Sequence, residues 1–138
     1  MSLVLDTGPL LALLGRNDPD HERCVALTEA LDEDLVVPAP VLGELDYWLR
    51  KLGELSVWQA FAEDVAEGGY RLHHLDEADL LRAAELEWTY ADLGLGFVDA
   101  AVIVTCERLG ETKVATLDRR DFSVVRPRHC ERLLLLPE

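Results

Sequence analysis

The chain is poor in cysteine, methionine and basic side chains: 138 residues hold three cysteines, one methionine, and 13 Lys+Arg against 27 Asp+Glu. Three widely spaced thiols (Cys24, Cys106, Cys130) argue against a disulfide framework and fit reduced cysteines in a cytoplasmic protein. No apolar run approaches the ~20 residues of a membrane-spanning helix. The opening MSLVLDTGP has no basic segment ahead of its apolar residues, unlike a secretion signal. Zinc ligation lacks material as well. His21 and Cys24 stand at helical spacing and His129-Cys130 are adjacent, but no ligand quartet emerges from them. Positive charge is outnumbered about two to one by negative, with a net charge of −14 and a pI near 4.5. That speaks against broad nucleic-acid binding, which leaves a basic footprint. The shortage is uneven: residues 1–105 carry 6 basic and 21 acidic residues, residues 106–138 carry 7 and 6. Contacts to a polyanion are expected on the last third.

The apolar share is 49%, that of a globular chain. A chain of this length buries roughly 68% of its unfolded surface and supports one domain, residues 1–138, without a staple. LVLD (3–6) is an apolar run ending in a carboxylate; Gly8-Pro9 turns the chain, and Leu10–Leu14 continue as a helix with Pro9 suited to its first position. Asp18-Pro19 reads as the start of a second helix, Asp18 as its N-cap. LVVP (35–38) is a second buried strand, followed from Pro40 by a helix through VLGELDYWLRKL. Ser56 and Gln59 match a capping box before VWQAFAEDVAEG. YRLHHL (70–75) is a short strand, DEADLLRAAELEWTYAD an acid-opened helix, and FVDAAVIVTCERLG a helix apolar almost all round. VATLD (114–118) is a further strand, followed by a loop RRDF and extended pieces around SVVR and LLLL. Strands alternating with helices predict an α/β fold with a mostly parallel sheet covered on both faces. Trp48, Trp58, Phe61 and Trp88 fall at core-like helical spacing and read as core or dimer-interface residues.

In such sheets ligands gather outside the carboxyl ends of the strands. Two strands here end in aspartate, Asp6 and Asp118. Asp99 opens the most apolar helix, where a charge needs a reason; capping the helix is the plain alternative. Asp92 is a weaker candidate upstream. On the helix from Pro40, at ~100° per residue, Glu44 and Asp46 fall on opposite borders of the apolar stripe, and geometry does not choose between them. Two carboxylates at ~4 Å repel by about 4 kcal/mol at an effective dielectric near 20. A divalent cation is the natural neutraliser, and oxygen-only ligands favour Mg²⁺ or Mn²⁺. Such ions serve phosphodiester hydrolysis.

Four segments, LVLDTGPLLALL (3–14), VPAPVLGELDYWL (37–49), YADLGLGFVDAAVIVTCERLG (90–110) and VATLDRRDFSVVRP (114–127), stand in the order and spacing of a known family. In them the chain resembles the PIN-domain ribonucleases, specifically the VapC-type toxins of bacterial toxin–antitoxin pairs. The resemblance spans essentially the whole chain. It implies a three-layer α/β/α sandwich and selects Glu44 over Asp46. Asp6, Glu44, Asp99 and Asp118 become the metal ligands and catalytic acids, with Thr7, Thr116 and Asp121 as outer support. It also implies Mg²⁺-dependent endoribonuclease activity by metal-activated water, with Mn²⁺ as a substitute, leaving a 5′-phosphate and a 3′-hydroxyl. The expected partners are structured RNA, a VapB-type antitoxin and a second copy of the chain in a homodimer. Arg119 and Arg120, beside Asp118, are the local candidates for phosphate contacts.

Rival readings fare worse. Asp6-Thr7-Gly8 spells the triplet of aspartic proteases, but those enzymes are β-rich and a leucine-rich helix follows here. A phosphatase with Asp6 as nucleophile commonly keeps a second aspartate two residues on, where this chain has Gly8. A binding module without activity has no need of four clustered carboxylates.

Overall fold

The computed structural model describes residues 1–138. Its centre is Ser2–Leu5 (β1), a strand of four residues buried on both faces, as its unbroken apolar sequence requires. Asp34–Pro38 (β2) and Lys113–Ala115 (β4) flank it, with Arg71–His73 (β3) and Leu134–Leu136 (β5) outside, giving the order β3-β2-β1-β4-β5. Every pair is parallel; Val4 lies opposite Val36 and Val114. The chain moves outward from β1 through β2 to β3, then jumps back across β1 to β4. With right-handed crossovers this reversal puts the β3-to-β4 connection on the opposite face. Thr7–Leu14 (α1) packs on both His21–Leu31 (α2) and Val41–Lys51 (α3), and α3 packs on Leu55–Ala66 (α4). Glu77–Thr89 (α5) packs on Phe97–Leu109 (α6), and α6 rests on β1 and β2. Arg119–Phe122 (α7) is a single short turn. The expected α/β layering is present, and the sheet is wholly parallel.

Leu3, Val4, Leu5, Val36, Val37, Val41, Leu45, Ile103 and Val114 form the heart of a 24-residue core. The thirteen-residue α6 has seven consecutive buried residues, Ala100 to Cys106, which explains its lack of a polar face. No helix is long and apolar enough to cross a membrane.

Several boundaries differ from those read in the sequence. Helix α1 begins at Thr7, because the Asp6 side chain accepts the Thr7 N–H and caps it, so Pro9 is its third residue. Asp18 does not cap α2: its Oδ1 accepts from the Asp20 N–H at 2.8 Å, making a turn that delays the helix to His21. Ser56 lies inside α4, whose cap position is Glu54, and no capping box forms there; the capping box belongs instead to α5, between Asp76 and Asp79. RRDF is helical rather than a loop, and SVVR forms no strand. Of the aromatic residues assigned to the core or an interface, Phe61 is buried, while Trp48 is 42% and Trp88 86% exposed.

Candidate active site

The site forms at the sheet's switch point, between the carboxyl ends of β1 and β4, the place where ligands gather in open parallel sheets. Asp6 follows β1 directly and its backbone N–H bonds Ala115 O across the gap at 2.9 Å. Its carboxylate is almost fully buried and held at both oxygens: Oδ1 accepts from the Thr7 N–H at 2.8 Å, Oδ2 from the Thr116 hydroxyl at 2.8 Å. Thr116 also accepts the Asp118 N–H at 3.0 Å. Since that lone hydroxyl proton is directed at Asp6, Thr116 fixes the two aspartates together. Thr7 works in the same way on the other side: its hydroxyl donates to Glu44 Oε1. Of the two acids on α3, Glu44 therefore faces Thr7 and the site, while Asp46 turns away to pair with Arg50 at 3.0 Å, one helical turn on.

Asp99, third residue of α6, does not cap it; Gly96 holds the cap position and no side chain bonds there. The Asp99 carboxylate instead meets Asp118 and Asp121, with one oxygen from each within 4.8 Å of the others. Asp118 caps α7, accepting the Asp121 N–H at 3.2 Å. Asp121, expected to be peripheral, thus stands inside the cluster. The i,i+3 spacing of Asp118 and Asp121 was the available signal, but it points both side chains one way only once the segment is helical. Asp92 remains exposed on a 3₁₀ turn, Ala91–Leu93, outside the cluster.

Crowding of like charge is visible in the acidities. Burial pushes Asp99 up to about 7, with Asp6, Asp118, Asp121 and Glu44 adding to the effect. Burial likewise raises Asp6 to about 6 against the opposing pull of the Thr7 and Thr116 hydrogen bonds, and Glu44 and Asp118 raise it further. Asp121 is raised by desolvation and by Asp118. The nearest cation is weakly engaged: Arg120 Nε lies 4.0 Å from Asp121 Oδ1, its side chain 80% exposed. Asp121 Oδ1 is buried and has no hydrogen-bond donor. A cluster of oxygen donors with a buried acceptor lacking a partner fits a hard divalent cation.

The triplet Asp6-Thr7-Gly8 also has its explanation in place. A Cβ on Gly8 would stand 3.3 Å from the Leu117 side chain, so glycine lets α1 approach the loop after β4.

The profile of the PIN domain matches residues 3–126. The chain belongs to the PIN-domain family. Within it, the chain is 33% identical over 135 residues to Ribonuclease VapC26 of Mycobacterium tuberculosis (strain ATCC 25618 / H37Rv), covering 98% of this chain and all of that one. This PIN domain is therefore of the VapC type. Solved structures share its fold. Mycobacterium tuberculosis VapC20, described as a sarcin-ricin loop cleaving toxin, superposes with a TM-score of 0.78 at 19% identity, over 86% of this chain and 91% of that one. VapBC2 from Rickettsia felis, bound to a promoter DNA fragment, gives 0.67 at 16% identity over 98% and 97%. FitAcB from Neisseria gonorrhoeae gives 0.66 at 23% identity over 89% and 91%.

Proposed function

We propose that this PIN domain is a Mg²⁺-dependent endoribonuclease toxin, restrained by a VapB-type antitoxin. The reading is supported chiefly by one observation: Asp99, Asp118 and Asp121 bring carboxylate oxygens within 4.8 Å of one another, Asp6 and Glu44 add their charge to Asp99, and the nearby cation, Arg120, is 4.0 Å from Asp121 and largely exposed. Asp6, Glu44, Asp99 and Asp118 hold the ion in this reading, and the buried free oxygen of Asp121 supports adding it to the set. The absence of His and Cys from the cluster favours Mg²⁺ or Mn²⁺ over Zn²⁺. Bound there, the ion would supply Lewis-acid polarisation of a phosphate and a water acidic enough to attack near neutral pH. The chain's own part is positional. Thr7 and Thr116 lock the acids, the buried sheet ends exclude bulk water from Asp6, and Arg119 and Arg120, both exposed, receive neighbouring phosphates.

A strongly acidic chain needs a route for RNA and a basic partner for inhibition; the −14 net charge suits the second directly. A homodimer is supported by the apolar stripe left open on α5, where Leu81 and Trp88 are 72% and 86% exposed, seven residues apart on one face. A cytoplasmic location agrees with three free cysteines.

The test is cleavage of structured RNA by purified protein. Mg²⁺ or Mn²⁺ should support it, excess EDTA should abolish it, and Asp99→Asn should fold yet fail to cleave. Full cleavage in EDTA would remove the metal mechanism; RNA binding without cleavage under any divalent ion would leave a binding module.

A further inference from the structure

Helix α3 presents one exposed face formed by Gly43, Glu44, Tyr47, Trp48 and Lys51, spaced three and four residues apart. It begins at the site, with Glu44 bonded to Thr7, and leads away from it. One turn beyond Glu44 stand the two aromatic rings, Tyr47 51% and Trp48 42% exposed, in edge-to-face contact at 5.3 Å. A further turn on, the Lys51 ammonium lies 5.7 Å and 5.4 Å from their centroids and makes no ion pair. Gly43 is a poor residue for a helix interior, and a Cβ there would meet nothing within 4 Å. Internal packing therefore does not require it, whereas close approach of something from outside would.

Resting on the ribonuclease reading above, we propose that the Tyr47–Trp48–Lys51 face of α3 is a nucleobase subsite that stacks an unpaired base of RNA beside the bond to be cut. The half-exposed rings offer a sequence-tolerant surface on which a single-stranded base stacks, and the ammonium that lies over them, free of any ion pair, meets the adjoining phosphate. Gly43 leaves room for the backbone between the rings and Glu44. A protein seated on these rings would also bury the charges of Glu44 and Lys51, which RNA leaves hydrated or neutralises. The subsite also accounts for how an acidic molecule gains hold on RNA: stacking does not depend on net charge.

The experiment uses the full chain with Trp58→Phe and Trp88→Phe, which leaves Trp48 as its one indole, and Asp99→Asn to prevent cleavage. Single-stranded RNA of mixed sequence, about eight nucleotides long, should quench Trp48 fluorescence saturably, and the same sequence as a duplex should not. In the active chain, Tyr47→Ala/Trp48→Ala should raise KM roughly ten- to a hundredfold, the loss falling on KM rather than kcat, while Tyr47→Phe/Trp48→Phe should keep most of the affinity. Lys51→Ala should reduce the log–log salt slope of RNA binding by about 0.7. Should the alanine pair unfold, Trp48 quenching and the phenylalanine pair still decide. A parent that cleaves RNA, with no quenching and unchanged KM in folded variants, would overturn the subsite alone. A change in sedimenting mass with unchanged KM would assign the rings to a protein contact and overturn it too. A parent that neither binds nor cleaves RNA with Mg²⁺ would overturn both readings.

Discussion

Thr116 is the residue on which the geometry of the acids turns. It is fully buried, gives its one hydroxyl proton to Asp6 and receives the Asp118 N–H. Thr116→Val keeps the shape and removes both bonds, so it should fold with a loss of about 1–3 kcal/mol in urea unfolding and lose roughly 10–100-fold in metal affinity or activity. Thr116→Ser should restore most of both. The acidities give a second expectation. Asp6 and Asp99 titrate near 6 and 7 in the folded chain against 3.8 ordinarily. Between those values the folded state binds more protons than the unfolded one, so stability contributed here is present at low pH and lost as pH rises through 6 to 7. Without metal, the melting temperature should fall from pH 5 to pH 8 through these groups, and Mg²⁺ should reverse that fall most strongly at the higher pH. At this scale the sequence was partly legible. Asp6, Asp99 and Asp118 stood out as charges in apolar surroundings. Glu44 and Asp46 were equivalent on the helix itself, and only Thr7, on a different helix, separates them.

The elements were legible where burial alone decides them. The unbroken apolar run at β1 and the all-round apolar α6 report burial on every side, and both are where the pattern put them. Helix starts were not, because they depend on which of several nearby acids caps: Asp6 takes α1, Asp18 makes a turn, and Ser56 is bypassed. The network at the α5–α6 contact belongs to the same class. Asp79 is 5% exposed, completes the α5 capping box and receives Arg108 at 2.9 Å, with His73 at 3.7 Å. Asp79→Ala leaves Arg108 with Asp76 alone and removes the reciprocal Asp76 N–H bond of the capping box, while the Asp76 cap on the residue 79 N–H remains, so it should lower stability by about 1–3 kcal/mol in chemical denaturation. RNA cleavage at permissive temperature should persist, since Asp79 lies outside the acid cluster.

For the whole molecule, alternation of strands and helices announced a covered, largely parallel sheet, but not the order β3-β2-β1-β4-β5. That order depends on pairing between strands more than a hundred residues apart, such as Val4 with Val114, and no local pattern encodes it. The site is a product of this order: only when β4 lies next to β1 do Asp6 and Asp118 come together. Surface character was also hidden, since helical spacing did not distinguish buried Phe61 from exposed Trp88. If Leu81 and Trp88 close a homodimer, Leu81→Glu should halve the mass in sedimentation while changing the stability of the folded unit little, because the side chain is 72% exposed. In the proposed function the acid cluster holds a divalent cation. Calorimetric titration of Mg²⁺ into the intact chain and into Asp99→Asn tests it most directly. Saturable binding in the former, and its loss in a variant with unchanged circular dichroism, is the predicted result; equal binding in both, or none in the intact chain, would contradict it.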